Sequence, residues 1–156
     1  MANYYSGTVD EIKIVCKEIG VGSSLTDTIS PAQFEQYQKE ADGIIDAQLG
    51  VVYEVPLVQI KRGTLTYYPN VIAYIARRIA ASDLILNEMS QIEPNVSQSA
   101  TNKRTRAMAE LSELVQGAII GSRYLEGQKP RARNHFIRPG VAPASAPTTP
   151  PTGMGT

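Results

Sequence analysis

Residues 30–49 read Ser30-Pro31-Ala32-Gln33-Phe34-Glu35-Gln36-Tyr37-Gln38-Lys39-Glu40-Ala41-Asp42-Gly43-Ile44-Ile45-Asp46-Ala47-Gln48-Leu49, and this stretch decides the fold class. Ser30 and Gln33 have the spacing of a capping box, in which each side chain satisfies a backbone N–H that the first helical turn leaves open. Pro31 falls at the first helical position, where its missing N–H costs nothing. Phe34, Tyr37, Ala41, Ile44, Ile45 and Leu49 then recur at three- and four-residue intervals and share a face. Glu35, Gln38, Lys39, Glu40, Asp42 and Asp46 are expected to face water, and Gly50 closes the helix. A helix with so clear an apolar stripe needs other helices to bury it, so the chain should be mainly α.

Toward the N-terminus, Thr8-Val9-Asp10-Glu11 is a second capping box. It opens a helix whose face carries Val9, Ile12, Val15, Cys16 and Ile19, and Gly20 and Gly22 end it. Toward the C-terminus, the composition between Val51 and Tyr68 shifts to Val, Ile, Thr and Tyr. Val58 and Ile60 alternate with polar residues before Lys61-Arg62-Gly63-Thr64, which predicts a short hairpin over about 57–67. Pro69 opens a third long helix to about Glu88, apolar on several sides and therefore central. A polar loop is expected from Ser90 to Ala100, then a last helix through Ala107, Met108, Leu111, Leu114, Val115, Ala118 and Ile119. Lys103, Arg104 and Arg106 in its first turns have the wrong sign for the positive end of a helix dipole, so something else wants those charges there.

Helical periodicity stops at Gly127. The last thirty residues hold six prolines and no Asp or Glu, and are expected to form an extended, polyproline-like arm. Ordering thirty residues that bury little of their own would cost tens of kcal/mol at roughly 1 to 2 kcal/mol each, which only a partner's surface offsets. The reading is thus one helical domain over 1–126, a bundle of about four helices with a short β-hairpin insertion, followed by an extended basic and Pro-rich tail over 127–156.

Fifteen basic and fifteen acidic residues cancel over the whole chain. Residues 1–68 nevertheless hold five Lys and Arg against nine Asp and Glu, and residues 69–156 ten against six, an asymmetry that suits subunits packing against copies or stacked partners. The single cysteine, Cys16, rules out an intrachain disulfide and fits a reducing cytoplasm. The N-terminus lacks the basic start and apolar run of a secretory signal. The most apolar stretch, 71–86, carries Arg77, Arg78 and Asp83, which argues against a membrane span.

Catalysis is not expected. His135 is the only histidine and lies in the tail, no His and Cys cluster exists to ligate a metal, and no phosphate-binding loop occurs. Asp42 with Asp46, and Glu110 with Glu113, share helix faces at four- and three-residue spacing, but these pairs read as solvated surface. No cofactor, metal or catalytic residue is therefore assigned. The candidate partner-binding residues are Lys61 and Arg62 at the hairpin and Lys129, Arg131, Arg133 and Arg138 in the tail.

The order of elements resembles that of the head-to-tail adaptor, or connector, family of tailed bacteriophages. The likeness lies in the Ser30-Pro31 helix ending Glu40-Ala41-Asp42-Gly43-Ile44-Ile45-Asp46-Ala47-Gln48-Leu49, then Tyr53-Glu54-Val55-Pro56, then a third helix with Ile75-Ala76 and Ile79-Ala80-Ala81-Ser82-Asp83-Leu84. It spans roughly Thr8 to Glu126. The resemblance implies a structural virion protein, made in the host cytoplasm and seated in the neck between capsid and tail. It implies a homo-oligomeric ring, usually twelve-fold, that binds the portal protein and the tail or neck proteins. DNA would pass along its channel at genome ejection without sequence-specific contact, and no membrane is involved. The hairpin and the proline tail depart from the compact family pattern. A small helical DNA-binding regulator, presenting Lys103, Arg104 and Arg106 to the major groove, is the alternative; the eleven or so polar residues expected before that helix are long for a helix-turn-helix.

Overall fold

The computed structural model describes residues 3–89 and 93–131. The described residues form five helices and one two-stranded sheet: α1 (Val9–Ile19), α2 (Ser23–Thr26), α3 (Pro31–Leu49), β1 (Ile60–Arg62), β2 (Leu65–Tyr67), α4 (Asn70–Glu88) and α5 (Pro94–Ile119). The protein is mainly α-helical with a small hairpin. The expected extended arm lies, beyond Arg131, outside the described residues.

Both predicted capping boxes close. Glu11 N–H donates to Thr8 Oγ1 at 3.4 Å and Thr8 N–H to Glu11 Oε2 at 2.7 Å; Gln33 N–H donates to Ser30 Oγ at 3.2 Å and Ser30 N–H to Gln33 Oε1 at 2.9 Å. Gly20 ends α1 in the left-handed region at φ +117°, a conformation other residues rarely adopt.

α4 is the central post. Ile72, Ala73, Ile75, Ala76, Ile79, Ala80, Ala81, Leu84 and Ile85 are all buried, and α1, α3 and α5 pack around them. The alanines leave room for neighbouring backbones to approach. Phe34, Tyr37, Ala41, Ile45 and Leu49 of α3 meet α4 from one side, and Ala100, Ala107, Leu111 and Leu114 of α5 from another.

Three expectations need correction. α2 is a fifth helix, a single turn too short to show periodicity, with Thr26 Oγ1 donating to Ser23 C=O at 3.0 Å. The polar stretch before the last helix is itself helical from Pro94, which occupies a first-turn position. Its polar Gln98 and Asn102 bond to each other on the exposed side while Val96 and buried Ala100, one turn apart, pack against the core, and this holds what looked like a loop. The hairpin is shorter than 57–67: β1 and β2 pair Ile60 with Tyr67, Lys61 with Thr66 and Arg62 with Leu65. Pairing ends there because Tyr68 and Pro69 turn into α4, and proline has no N–H for a ladder.

The tight alanine seams give a direct test. Ala80→Leu should push α4 off its neighbours and cost about 1 to 3 kcal/mol, read as a lower urea midpoint with an unchanged slope.

Candidate assembly surface

The two groups of basic residues singled out in the sequence lie far apart along the chain but meet in the fold. Residues 126–131 form a strap running antiparallel to 50–62. Glu126 pairs with Arg62 at 3.0 Å. Gln128 brackets Val58, its Oε1 accepting the Val58 N–H at 2.9 Å and its Nε2 donating to the Val58 carbonyl at 2.8 Å. Glu54 N–H donates to Lys129 C=O and Arg131 N–H to Val52 C=O, both at 2.9 Å, around a β-bridge between Tyr53 and Pro130. The Arg131 guanidinium donates to Gly50 C=O at 2.6 Å.

Lys61 and Arg62 therefore share one end of the molecule with Lys129 and Arg131. Arg133 and Arg138 lie outside the described residues. The first five residues of the assigned tail, 127–131, are fixed against the body by main-chain bonds, which depend on backbone groups and leave no trace in side-chain periodicity.

This hairpin end is also where exposed apolar side chains gather. α3 and α5 finish there and α4 begins, as shown by Pro69, Asn70 and Val71 facing Leu114, Tyr124 and Leu125 across one cleft. Leu65 (68% exposed), Ile120 (64%), Tyr124 (58%), Val58, Val51 and Val55 all belong to segments that meet at this end, while only Ile14, Leu25 and Tyr74 complete the exposed large hydrophobics among the described residues. Lys61, Arg123 and Lys129 are exposed beside them.

The N-terminal segment is pinned by a cluster that the sequence misled us about. Asp42 and Asp46 were expected in solvent, but both are half-buried under Tyr5. The Tyr5 N–H donates to both Asp42 oxygens at 3.2 Å, and its hydroxyl donates to Asp46 Oδ1 at 2.5 Å while accepting the Leu57 N–H at 2.7 Å. The buried Tyr5 ring meets Tyr68 edge-on at 4.8 Å. Gln38, also expected in water, is buried and donates to Ser6 Oγ at 2.9 Å and Gly7 C=O at 2.8 Å. These polar residues break the predicted solvent face because they satisfy an incoming strand of chain, which no helical pattern reveals.

Desolvation by burial pushes the Asp42 carboxyl up to about 7, against the opposing pull of the Tyr5 N–H, with the charge of Asp46 adding to the rise. Burial raises Asp46 as well. Glu110, by contrast, is held below its ordinary value by its hydrogen bonds to Arg78, which grips both carboxylate oxygens.

The basic run at the start of the last predicted helix now has its explanation. It sits in the middle of α5, away from the positive end of the dipole, where Lys103 reaches Glu18 at 3.2 Å and Arg104 reaches Asp83 at 2.5 Å. Lys103 and Arg106 border a groove of about 850 Å³ between α1, α4 and α5, together with Tyr74, Arg78 and Glu110. The link from α4 to α5 is only residues 89–93, so its length no longer counts against a helix-turn-helix; the internal pairing of Lys103 and Arg104 does.

Among the described residues no group of three or more His, Cys, Asp or Glu side chains could hold a metal ion, and no helix is long and apolar enough to cross a membrane. Comparison with protein-family models, with curated proteins and with solved structures found no match.

A carboxyl whose folded value is raised favours its protonated form in the fold. Its stabilising contribution is full below about pH 4, the ordinary aspartate range, and is lost as pH rises through about 7. Urea stability should therefore fall between pH 5.5 and pH 8, and Asp42→Asn, which keeps an acceptor for Tyr5 but cannot ionise, should flatten that fall.

Proposed function

We propose that this chain is a structural subunit of a tailed-phage virion, a head-to-tail adaptor that forms a ring between portal and tail and continues the DNA channel. The observation that carries the reading is the hairpin end, where exposed Leu65, Ile120 and Tyr124 stand among Lys61, Arg123 and Lys129 and where the strap of residues 126–131 packs. Apolar side chains interspersed with charges of both signs, Glu54 and Glu126 being exposed there as well, favour a protein partner over a nucleic-acid backbone. The resemblance of the element order to that of adaptors and the opposed charge of the two halves of the sequence support the same reading.

In this proposal the helical body is a rigid spacer, the hairpin end faces the portal, and Lys61, Arg62, Lys129, Arg131, Arg133 and Arg138 steer the contact. No catalysis, cofactor or sequence-specific DNA contact is assigned.

Leu65→Asp combined with Tyr124→Asp places charges in the apolar part of this surface without touching a buried residue. The doubly substituted protein should keep its helical circular dichroism and its urea midpoint while losing at least ten-fold in co-sedimentation with portal rings. Undiminished co-sedimentation would rule out the hairpin end as the portal contact.

A further inference from the structure

A second groove, of about 600 Å³, lies beside β2 between the N-terminal segment, α3 and α4. Its accessible aromatic lining is Tyr4, Tyr67 and Tyr68, Tyr5 being buried, and its charged lining is the carboxylates Glu11 and Glu35 against one cation, Arg77. Glu11 is engaged by Arg77 at 2.7 Å. Glu35 accepts from the Tyr4 hydroxyl at 2.5 Å and stands 3.8 Å from Lys39, leaving it acceptor capacity.

Thr66 also lines this groove. In a hairpin with a two-residue connection the pair flanking the turn, here Arg62 and Leu65, exchanges hydrogen bonds, and bonding alternates along the ladder. The Thr66 N–H and carbonyl therefore point away from β1, and among the described residues nothing bonds them, which leaves them for an extended segment.

Tyrosine-lined grooves beside free main-chain groups suit proline-rich peptides, whose preformed extended helix loses little entropy on docking. The chain carries such a peptide. Residues 132–156 hold five prolines, Arg133 and Arg138, and no acidic residue, which complements Glu35.

The strap and the self-assembling reading together bear on whose peptide it is. It runs from Arg62 toward Gly50, so Arg131 is held at the far end of the 50–62 segment from the hairpin that walls the groove. Twenty-five residues follow Arg131, and a chain of that length spans at most roughly 80 to 90 Å at about 3.3 to 3.6 Å per residue, ample for a neighbouring subunit. We propose that the tyrosine groove of each subunit receives residues 132–156 of a second copy. The exchange rests on the reading of the chain as a self-assembling subunit and supplies its side-to-side lock.

The test uses full-length protein. A ¹⁵N-labelled chain is mixed with an unlabelled chain carrying a nitroxide at Ala144→Cys. Cys16 does not compete, since it is buried and burial pushes its thiol up to about 12. The amides of Asn3, Thr66 and Tyr68 in the ¹⁵N copy should lose at least half their intensity and recover it when the nitroxide is reduced. Glu35→Lys with Tyr67→Ser in the ¹⁵N copy should abolish that loss; should this pair unfold the body, Arg133→Glu with Arg138→Glu in the spin-labelled copy carries the same expectation from the tail side.

No loss in the mixture overturns the exchange. So does a loss seen only when nitroxide and ¹⁵N share one chain, or one that survives both sets of substitutions. Portal docking of the same proteins is scored in parallel: rings without broadening remove the exchange and spare the adaptor reading, and broadening without rings does the reverse.

Discussion

The whole structure depends on burying α4 around most of its circumference. Ile72, Ile75, Ile79, Leu84 and Ile85 supply the apolar surface, and Ala73, Ala76, Ala80 and Ala81 keep the helix thin enough for α1, α3 and α5 to close on it. Burying each large aliphatic side chain contributes about 1.5 to 3 kcal/mol. Because this helix runs from the hairpin end to the far end, its position also fixes where the others begin and finish. α3 and α5 must end beside its start, and that juxtaposition creates the surface on which the functional reading rests.

Two pieces of irregular chain then lock onto the bundle by polar contacts. At the N-terminus Tyr5 plugs the gap between α3 and the segment before the hairpin, held by Asp42, Asp46 and the Leu57 amide. At the C-terminal side the strap closes over residues 50–62, anchored by buried Leu125, whose N–H donates to the hydroxyl of buried Tyr53 at 2.9 Å. Both locks leave the hairpin tip and the turn after α5 exposed. Polar locks of this kind hold loops in place without consuming the apolar surface that an assembling protein needs for its partners.

What could be read from the residues follows from the range of each interaction. Thr8, Ser30, Pro31 and Gly20 act within one turn of themselves, so three helix ends were legible from spacing alone, and the all-round apolar character of 71–85 marked α4 as central. Asp42, Asp46 and Gln38 were misjudged because their partners, Tyr5, Ser6 and Gly7, arrive from more than thirty residues away. The start of α5 was hidden for a similar reason: Val96 and the small Ala100 are the sparse apolar residues of a polar run, and their packing shows the helix. Lys61 and Arg62 were singled out as a group separate from Lys129 and Arg131, and nothing in the sequence could show that the strap unites them.

Electron microscopy of the purified protein mixed with the portal ring of its phage, beside a portal alone, tests the adaptor reading most directly. A ring of added density beneath the portal, with the hairpin end of each subunit against it, is the predicted result. A portal that stays bare at micromolar protein, while the same protein shifts DNA, would contradict it.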